Sequence, residues 1–388
     1  MRSMAISRRT LLAGFGGSAF AAALGPRPGR ASDALFVSCA ADREGNYYVA
    51  GFDGDGRHHF AQPLPARGHA ATVRPGSSDW IVFARRPGAF AMVLDGRTAA
   101  VTALIENAPG RRFQGHGAFS ADGRTLFASE NDFEAGRGVL GLYDAEAGYR
   151  RVGEVASHGI GPHDLRLLPD GRRLAVANGG IRTHPDSGRD KLNIDSMDPS
   201  LAVLDATSGA LLAQVRLPQR LHKLSIRHLD VSRDGLVALA MQYEGDRRHE
   251  VPLVGVWSGR EIDLLQAPSK ATRRMRHYTG SIAFDDSGKF LAASCPKGHL
   301  VTLWDVRRRA FLAAVEARDS SGLAATGRDG EFVISGGDGK LRMADARTGE
   351  SRLLLASDGA LRWDNHLNAQ PAAPGSSPLA RPVAEKVF

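Results

Sequence analysis

The stretch QGHGAFSADGRTLFASE, Gln114 to Glu130, decides how this chain is read. It alternates apolar and polar positions, breaks at Asp122-Gly123 and resumes as a second apolar run, the pattern of two antiparallel strands joined by a tight turn that needs positive φ. Five other stretches share its frame: HAATVRPGSSDWIVFAR from His69, HDLRLLPDGRRLAVAN from His163, HLDVSRDGLVALAMQ from His228, SIAFDDSGKFLAASC from Ser281 and LAATGRDGEFVISGG from Leu323. Successive starts lie 47, 47, 65, 53 and 42 residues apart. Each hairpin is followed by two more short apolar runs, as in GHLVTLWDV then AFLAAVEA. Four short strands per unit at this period mark a β-propeller blade.

Six complete copies leave two loose ends. ALFVSC, Ala34 to Cys39, aligns with FLAASC ending at Cys295 and therefore reads as a second strand with no first strand before it. RWDNHLNAQ, near the C-terminus, supplies the missing first strand. The expected fold is all-β: a seven-bladed β-propeller closed by pairing of N- and C-terminal strands, which removes the exposed sheet edges of an open structure. The closing blade is blade 1, and His69, His116, His163, His228, Ser281 and Leu323 then open blades 2 to 7.

Residues 1–31 are expected to be an address rather than part of the fold. Ser7-Arg8-Arg9-Thr10-Leu11-Leu12 matches a twin-arginine pattern, Leu11 to Leu24 is too short for a comfortable membrane span, and Gly29-Arg30-Ala31 is a suitable cleavage site. The expected location is the periplasm, with residues 32–388 forming the propeller. Removing the leader takes away five arginines and no acidic residue, so the formal charge of +8 falls to +3 and the case for a nucleic-acid partner weakens. No later segment is apolar enough to cross a membrane. The two cysteines, Cys39 and Cys295, fall at equivalent places in blades 1 and 6, which are not adjacent, and are expected to be separate thiols.

The longest interval between copies contains an insertion, residues 179–200, between the second and third strands of blade 4. Its sequence from Asn178 to Leu201 is NGGIRTHPDSGRDKLNIDSMDPSL, polar and rich in turn residues, and its place in the blade puts it on the face where the innermost strands begin. His184, Pro185, Asp186, Arg189, Lys191 and Asn193 are positioned there to act as a lid or to line a ligand site. The basic run Arg273-Arg274-Met275-Arg276-His277, on the connection into blade 6, reaches the same face and reads either as an anion-attracting patch or as a solvated charge run.

The most informative coincidence is histidine. His69, His116 and His228 each lie seven residues before the turn glycine of their hairpin, His163 lies eight before Gly171, and His366 sits in the closing strand. That slip of one leaves Asp164 as an alternative to His163. Five imidazoles from blades 1 to 5 are thus expected as an arc at one mouth of the channel, with Glu130, Asn178, Gln242 and Cys39 nearby at the ends of second strands. Imidazoles facing one another fit a transition metal such as iron, copper or zinc, with Glu130 or Asp230 available to fix the tautomers. Two other readings stay open: hydrogen-bonding histidines that tie strands together, as the Gly-His pair does in WD repeats, and catalytic acid–base groups. No nucleotide-binding glycine loop, haem-attachment motif, nucleophile elbow or zinc-protease helix occurs.

The leader, GHGAFSADGRTLFASEND, the insertion motif NGGIRTHPDSGRDKLN and the late RWDNHL together resemble the bacterial domain-of-unknown-function family numbered 1513. The resemblance covers nearly all of the chain after the leader. It implies kinship with WD- and YVTN-repeat propellers and the quinoprotein amine dehydrogenase β-chain-like superfamily. It also implies imelysin-like and di-haem periplasmic proteins as partners and a place in iron acquisition. The motif positions His116, His163, Asn178, His184, Pro185, Asp186, Arg189, Lys191, Asn193 and His366 carry over, without an assigned reaction. The functional expectation is a metal- or ligand-binding accessory protein. The alternatives are a propeller enzyme (lactonase-like hydrolase or oxidoreductase subunit) and a protein-interaction scaffold.

Overall fold

A computed structural model describes residues 36–86, 89–188, 190–355 and 360–369. The expected leader, Ala34 and Leu35 of the predicted second strand, and Arg189 lie outside the described residues. The rest forms seven four-stranded antiparallel sheets, each built from strands consecutive in sequence except the closing one. There the C-terminal strand Arg362–Ala369 lies innermost and pairs antiparallel with Phe36–Ala41, with Phe36 opposite Ala369 and Ala41 opposite Arg362. The propeller and its closure are therefore as expected. Among the described residues no helix is long and apolar enough to cross a membrane.

The turn that opened the sequence argument works as its chemistry requires. Gly123 adopts φ +69°, and a Cβ there would come within 2.6 Å of the Pro75 carbonyl oxygen in the neighbouring blade. That close approach lets Arg74 Nε donate to the Gly123 carbonyl at 2.8 Å, so the glycine both turns its own hairpin and seats the next blade. Alternating residues on the two faces of each blade pack against the blades on either side. Ile81 and Phe83 of blade 2, for example, meet Phe113, Leu126 and Tyr143 of blade 3 in one buried cluster. Burial at about 25 cal/mol per Å² of apolar surface makes these inter-blade layers the main source of stability.

Acidic side chains add register between blades. Asp164 Oδ2 accepts from the Leu229 backbone N–H at 3.2 Å, Asp230 Oδ2 from that of Phe284 at 2.8 Å and Asp285 Oδ2 from that of Gly330 at 2.9 Å, linking blades 4 to 5, 5 to 6 and 6 to 7. Asp230 thus serves the ring rather than a histidine.

The innermost strands carry the feature that matters for function. Against their partners the register shifts between Gly68 and Ala71, Phe113 and Gly117, Pro162 and Asp164, and Ile226 and His228, and in blade 1 it shifts where Asp364 to His366 face Cys39. These are β-bulges, which bend a strand and re-aim side chains. All five fall at or beside a histidine, and blade 7 shows the same shift, between Ser320 and Gly322, without one. In blade 6, which has Ser281 at the head of the strand, pairing runs without a shift.

Candidate functional site

The bulges turn all five histidines into the channel, where their rings stack edge to face. Ring centroids lie 4.6 Å apart for His69 and His366, 4.6 Å for His228 and His366, 4.6 Å for His163 and His228, and 4.8 Å for His69 and His116. His116 occupies the middle, 4.7 Å from His366 and 5.1 Å from His163. The cluster is not an arc at an open mouth as the sequence implied: His116 and His228 are only 1% and 2% exposed. It forms a septum, with one cavity bounded by His69, His163 and His228 and another, on the other side, by His228 and His366.

Gly115 shows how closely the rings are fitted. It adopts φ +103°, and a Cβ on it would stand 2.4 Å from Cδ2 of His69. The glycine preceding His116 therefore makes room for the imidazole of the adjacent blade. His163 stands eight residues before its turn glycine because Asp164, paired with Ala177, takes the register position that His228, paired with Ala240, holds in blade 5. Both residues of the ambiguous pair are used, because Asp164 points to His116.

Asp164 Oδ1 lies 3.1 Å from His116 Nδ1 and 2.9 Å from Arg166 Nη1. Burial alone would raise the carboxyl's pKa, but Arg166 and the imidazoles of His116 and His228 outweigh it and hold Asp164 well below the usual carboxylate range. An anionic acceptor on Nδ1 fixes the tautomer of His116 and leaves Nε2 as the lone-pair nitrogen, the arrangement common behind metal-bound histidines.

Every histidine of the septum has a buried ring nitrogen without a hydrogen-bond partner: Nδ1 of His69, His163 and His228, and Nε2 of His116 and His366. Leaving five such atoms unsatisfied in one place is costly if nothing binds there, since each forfeits its hydration. Burial first, then the neighbouring imidazoles, lowers the pKa of His69, His163, His228 and His366 well below the ordinary value, so these four are neutral at pH 7. Neutral imidazole is the form that binds metals. Ligand nitrogens of His69, His116 and His163 lie within 4.8 Å of one another, as do those of His116, His228 and His366. Two nitrogens bonded to one tetrahedral metal at 2.0–2.1 Å stand about 3.3–3.4 Å apart, so metal binding draws the rings of a triad together by up to roughly 1.4 Å.

The other predicted residues divide. The insertion crosses the cavity on the His69 side: Ile181, Thr183 and Lys191 form part of its wall. It is clipped down by Arg86 Nη1 donating to Thr183 Oγ1 at 3.1 Å and by an ion pair between Lys191 and Glu244. Asn193 shapes the loop, accepting from the Arg182 N–H at 2.7 Å and donating to the Gly180 carbonyl at 3.0 Å. His184 accepts from the Asp186 N–H at 3.2 Å ahead of the short turn begun by Pro185, and packs on Phe133. Asp186 itself points to solvent. The insertion ends at residue 199, because Ser200 already belongs to the third strand.

Two residues expected beside the histidines are elsewhere. Glu130 is fully buried, but its carboxylate accepts from the Tyr143 hydroxyl at 2.5 Å and from Arg151 at 3.0 Å, on the third and fourth strands of its own blade. Asn178 donates to the Ser157 carbonyl at 2.9 Å. Gln242 does reach the cavity wall while donating to the Thr279 carbonyl at 3.0 Å. Cys39 and Cys295 are both free and buried, as expected, and burial pushes both thiols up. The Arg273–His277 run borders a separate basic hollow with Lys270, Lys297 and Arg247; in it Arg273 and Arg274 pair with Glu250 and Glu316. Sequence reasoning missed Arg85, Arg86 and Arg227, which line the cavity above the septum. The signal was positional rather than periodic, since Arg85-Arg86 directly follows the second strand of blade 2, Asp79–Ala84, and Arg227 directly precedes His228.

The fold and this septum define a seven-bladed β-propeller with a histidine-blocked channel. The chain belongs to the family described as "Protein of unknown function (DUF1513)", which matches residues 62–370. Among solved structures it is similar to "Kuenenia stuttgartiensis Hydrazine Synthase", at 15% identity and a TM-score of 0.56, over 81% of this chain and 93% of that one. That likeness is one of fold. No curated protein matches the chain.

Proposed function

We propose that this protein is a periplasmic metal-binding propeller that captures a transition metal at the septum formed by His69, His116, His163, His228 and His366. The supporting observation is the set of five partnerless buried nitrogens brought together by five successive blades. An all-imidazole, uncharged donor set favours copper, zinc or ferrous iron and disfavours magnesium and calcium, which prefer oxygen ligands. Capture and presentation to a partner, rather than turnover, agrees with the position of Glu130, whose carboxylate is committed to Tyr143 and Arg151. The periplasmic setting rests on the twin-arginine leader. A place in iron acquisition, with imelysin-like or di-haem proteins as partners, rests on the family resemblance.

The test is elemental analysis of the purified protein after reconstitution with iron, copper and zinc, alongside a variant carrying both His116→Ala and His228→Ala. Stoichiometric metal in the parent and loss of it from a folded variant are expected. A parent protein that retains none of the three metals contradicts the proposal.

A further inference from the structure

The channel is electrostatically two-sided about the septum. On the His69 side a cavity of about 170 Å³ is lined by four cationic side chains, Arg85, Arg86, Lys191 and Arg227, and by no carboxylate among the described residues. Behind the wall, Asp364 is shared by Arg67 and Arg85, so that group keeps a net positive charge, while Glu244 offsets Lys191. On the other side, a cavity of about 320 Å³ is lined by Asp164, Asp230, Asp285 and Asp286 against only Arg166 and Arg233. A free cation is repelled from the first cavity and a free anion from the second.

Polar donors complete the first cavity. Gln114, Gln242, Asn365, Thr183 and Tyr278 share the wall with the cations. Its floor is His69, His163 and His228, whose Nδ1 atoms are the partnerless ones. A metal held by the triad of His69, His163 and His116, two of which belong to this floor, would lie against a wall of cations and neutral donors, and the insertion roofs that space through Ile181, Thr183 and Lys191.

Resting on the metal reading above, we propose that this cavity is the binding site of a small oxyanion, carboxylate or phosphate in class, which completes the coordination of the septum metal from the side opposite the acidic cavity. Planar guanidinium groups match two oxygens of such an anion at once. The volume admits phosphate, bicarbonate or a dicarboxylate of the size of oxalate and excludes a large organic chelate.

Isothermal titration calorimetry of the metal-free protein with phosphate, bicarbonate and oxalate examines the cavity independently of any metal. At least one anion is expected to bind, more weakly by roughly tenfold for each cation removed in Arg85→Gln and Lys191→Gln. Lys191 is on the surface of the insertion, so its variant keeps the result interpretable if Arg85→Gln fails to fold. Loading the parent with cobalt(II) then reads the coordination sphere: the same anion is expected to shift the visible absorption bands, and to do so at higher concentration in Lys191→Gln. Absence of calorimetric binding by all three anions, or equal binding in the parent and Lys191→Gln, overturns the anion site. Calorimetric binding without cobalt uptake overturns the metal reading and with it the coordinating role, leaving an oxyanion site alone. Cobalt bands that the bound anion does not shift overturn coordination of the metal by that anion.

Discussion

Blades 1 to 5 and blades 6 and 7 are built alike, yet only the first group carries histidine at the head of the innermost strand. Blade 6 has Ser281 there and pairs in unbroken register; blade 7 has Leu323, which lines the acidic cavity. Both pack into the ring as fully as the others, with Ile282, Phe284, Leu323 and Ile334 buried. A propeller of this design therefore closes without histidine at that position. His116 ties blade 3 to blade 4 through Asp164, yet each of the five imidazoles keeps a buried nitrogen that bonds to nothing. Blade 7 carries the same register shift as the histidine blades, between Ser320 and Gly322, so the two groups differ in the side chain placed in the channel, and the metal reading proposed above rests on that difference.

The sharpest way to break the comparison is to make blades 3 and 5 resemble blade 6. His116→Ala with His228→Ala removes one ligand from the first triad and two from the second and is expected to weaken metal binding by more than about 100-fold, measured by competition with a chromophoric chelator. The thermal midpoint of the metal-free variant should hold or rise, because two unsatisfied buried polar groups are lost. A large fall in that midpoint would restore the structural reading of the histidines.

Acid should act on the same five blades. Four septum imidazoles have folded-state pKa values depressed below the ordinary 6.5, chiefly by burial. The unfolded chain then binds more protons than the folded one below that value, so their contribution to stability is complete above about pH 6.5 and is lost as the pH falls further. The metal-free protein should show a falling thermal midpoint between pH 7 and 5, and His163→Ala with His366→Ala should flatten the slope. An unchanged slope would place the acid sensitivity elsewhere.

Support for the ligands comes next in size. Asp164→Asn keeps an acceptor for Leu229 but removes the charge that orients His116, and should cost about 10- to 100-fold in metal affinity while the circular dichroism spectrum is retained. Gly115→Ala puts a side chain at φ +103° against the His69 ring and should cost on the order of 2 kcal/mol by chemical denaturation. The smallest effect tests the other half of the molecule: Ser281→His adds an imidazole to a blade without a bulge, and metal stoichiometry and affinity should stay within about twofold.

How much of this was legible in sequence depended on whether a residue's role is periodic. Asp122-Gly123 and its counterparts announce tight hairpins, and RWDNHL announced the closing strand because ALFVSC lacked a partner. His69, His116 and His228 were legible because bulge and turn keep a constant seven-residue spacing. His163 was one residue off because Asp164 takes the register position that His228 holds in blade 5, and no counting rule anticipates that. Glu130 was misplaced for a different reason: side chains of a second strand point to the blade faces, so its carboxylate meets Tyr143 and Arg151 instead of the channel. Arg85, Arg86 and Arg227 gave no periodic signal. Their convergence is created by strand ends from different blades and by an insertion that covers them.

X-ray absorption spectroscopy at the zinc edge of the reconstituted protein tests metal binding at the septum most directly. A first shell of nitrogen at about 2.0–2.1 Å with the outer-shell scattering of at least three imidazoles is expected, reduced in the His116→Ala, His228→Ala variant. A shell of oxygen or sulfur without imidazole scattering, or a spectrum unchanged in that variant, would contradict it.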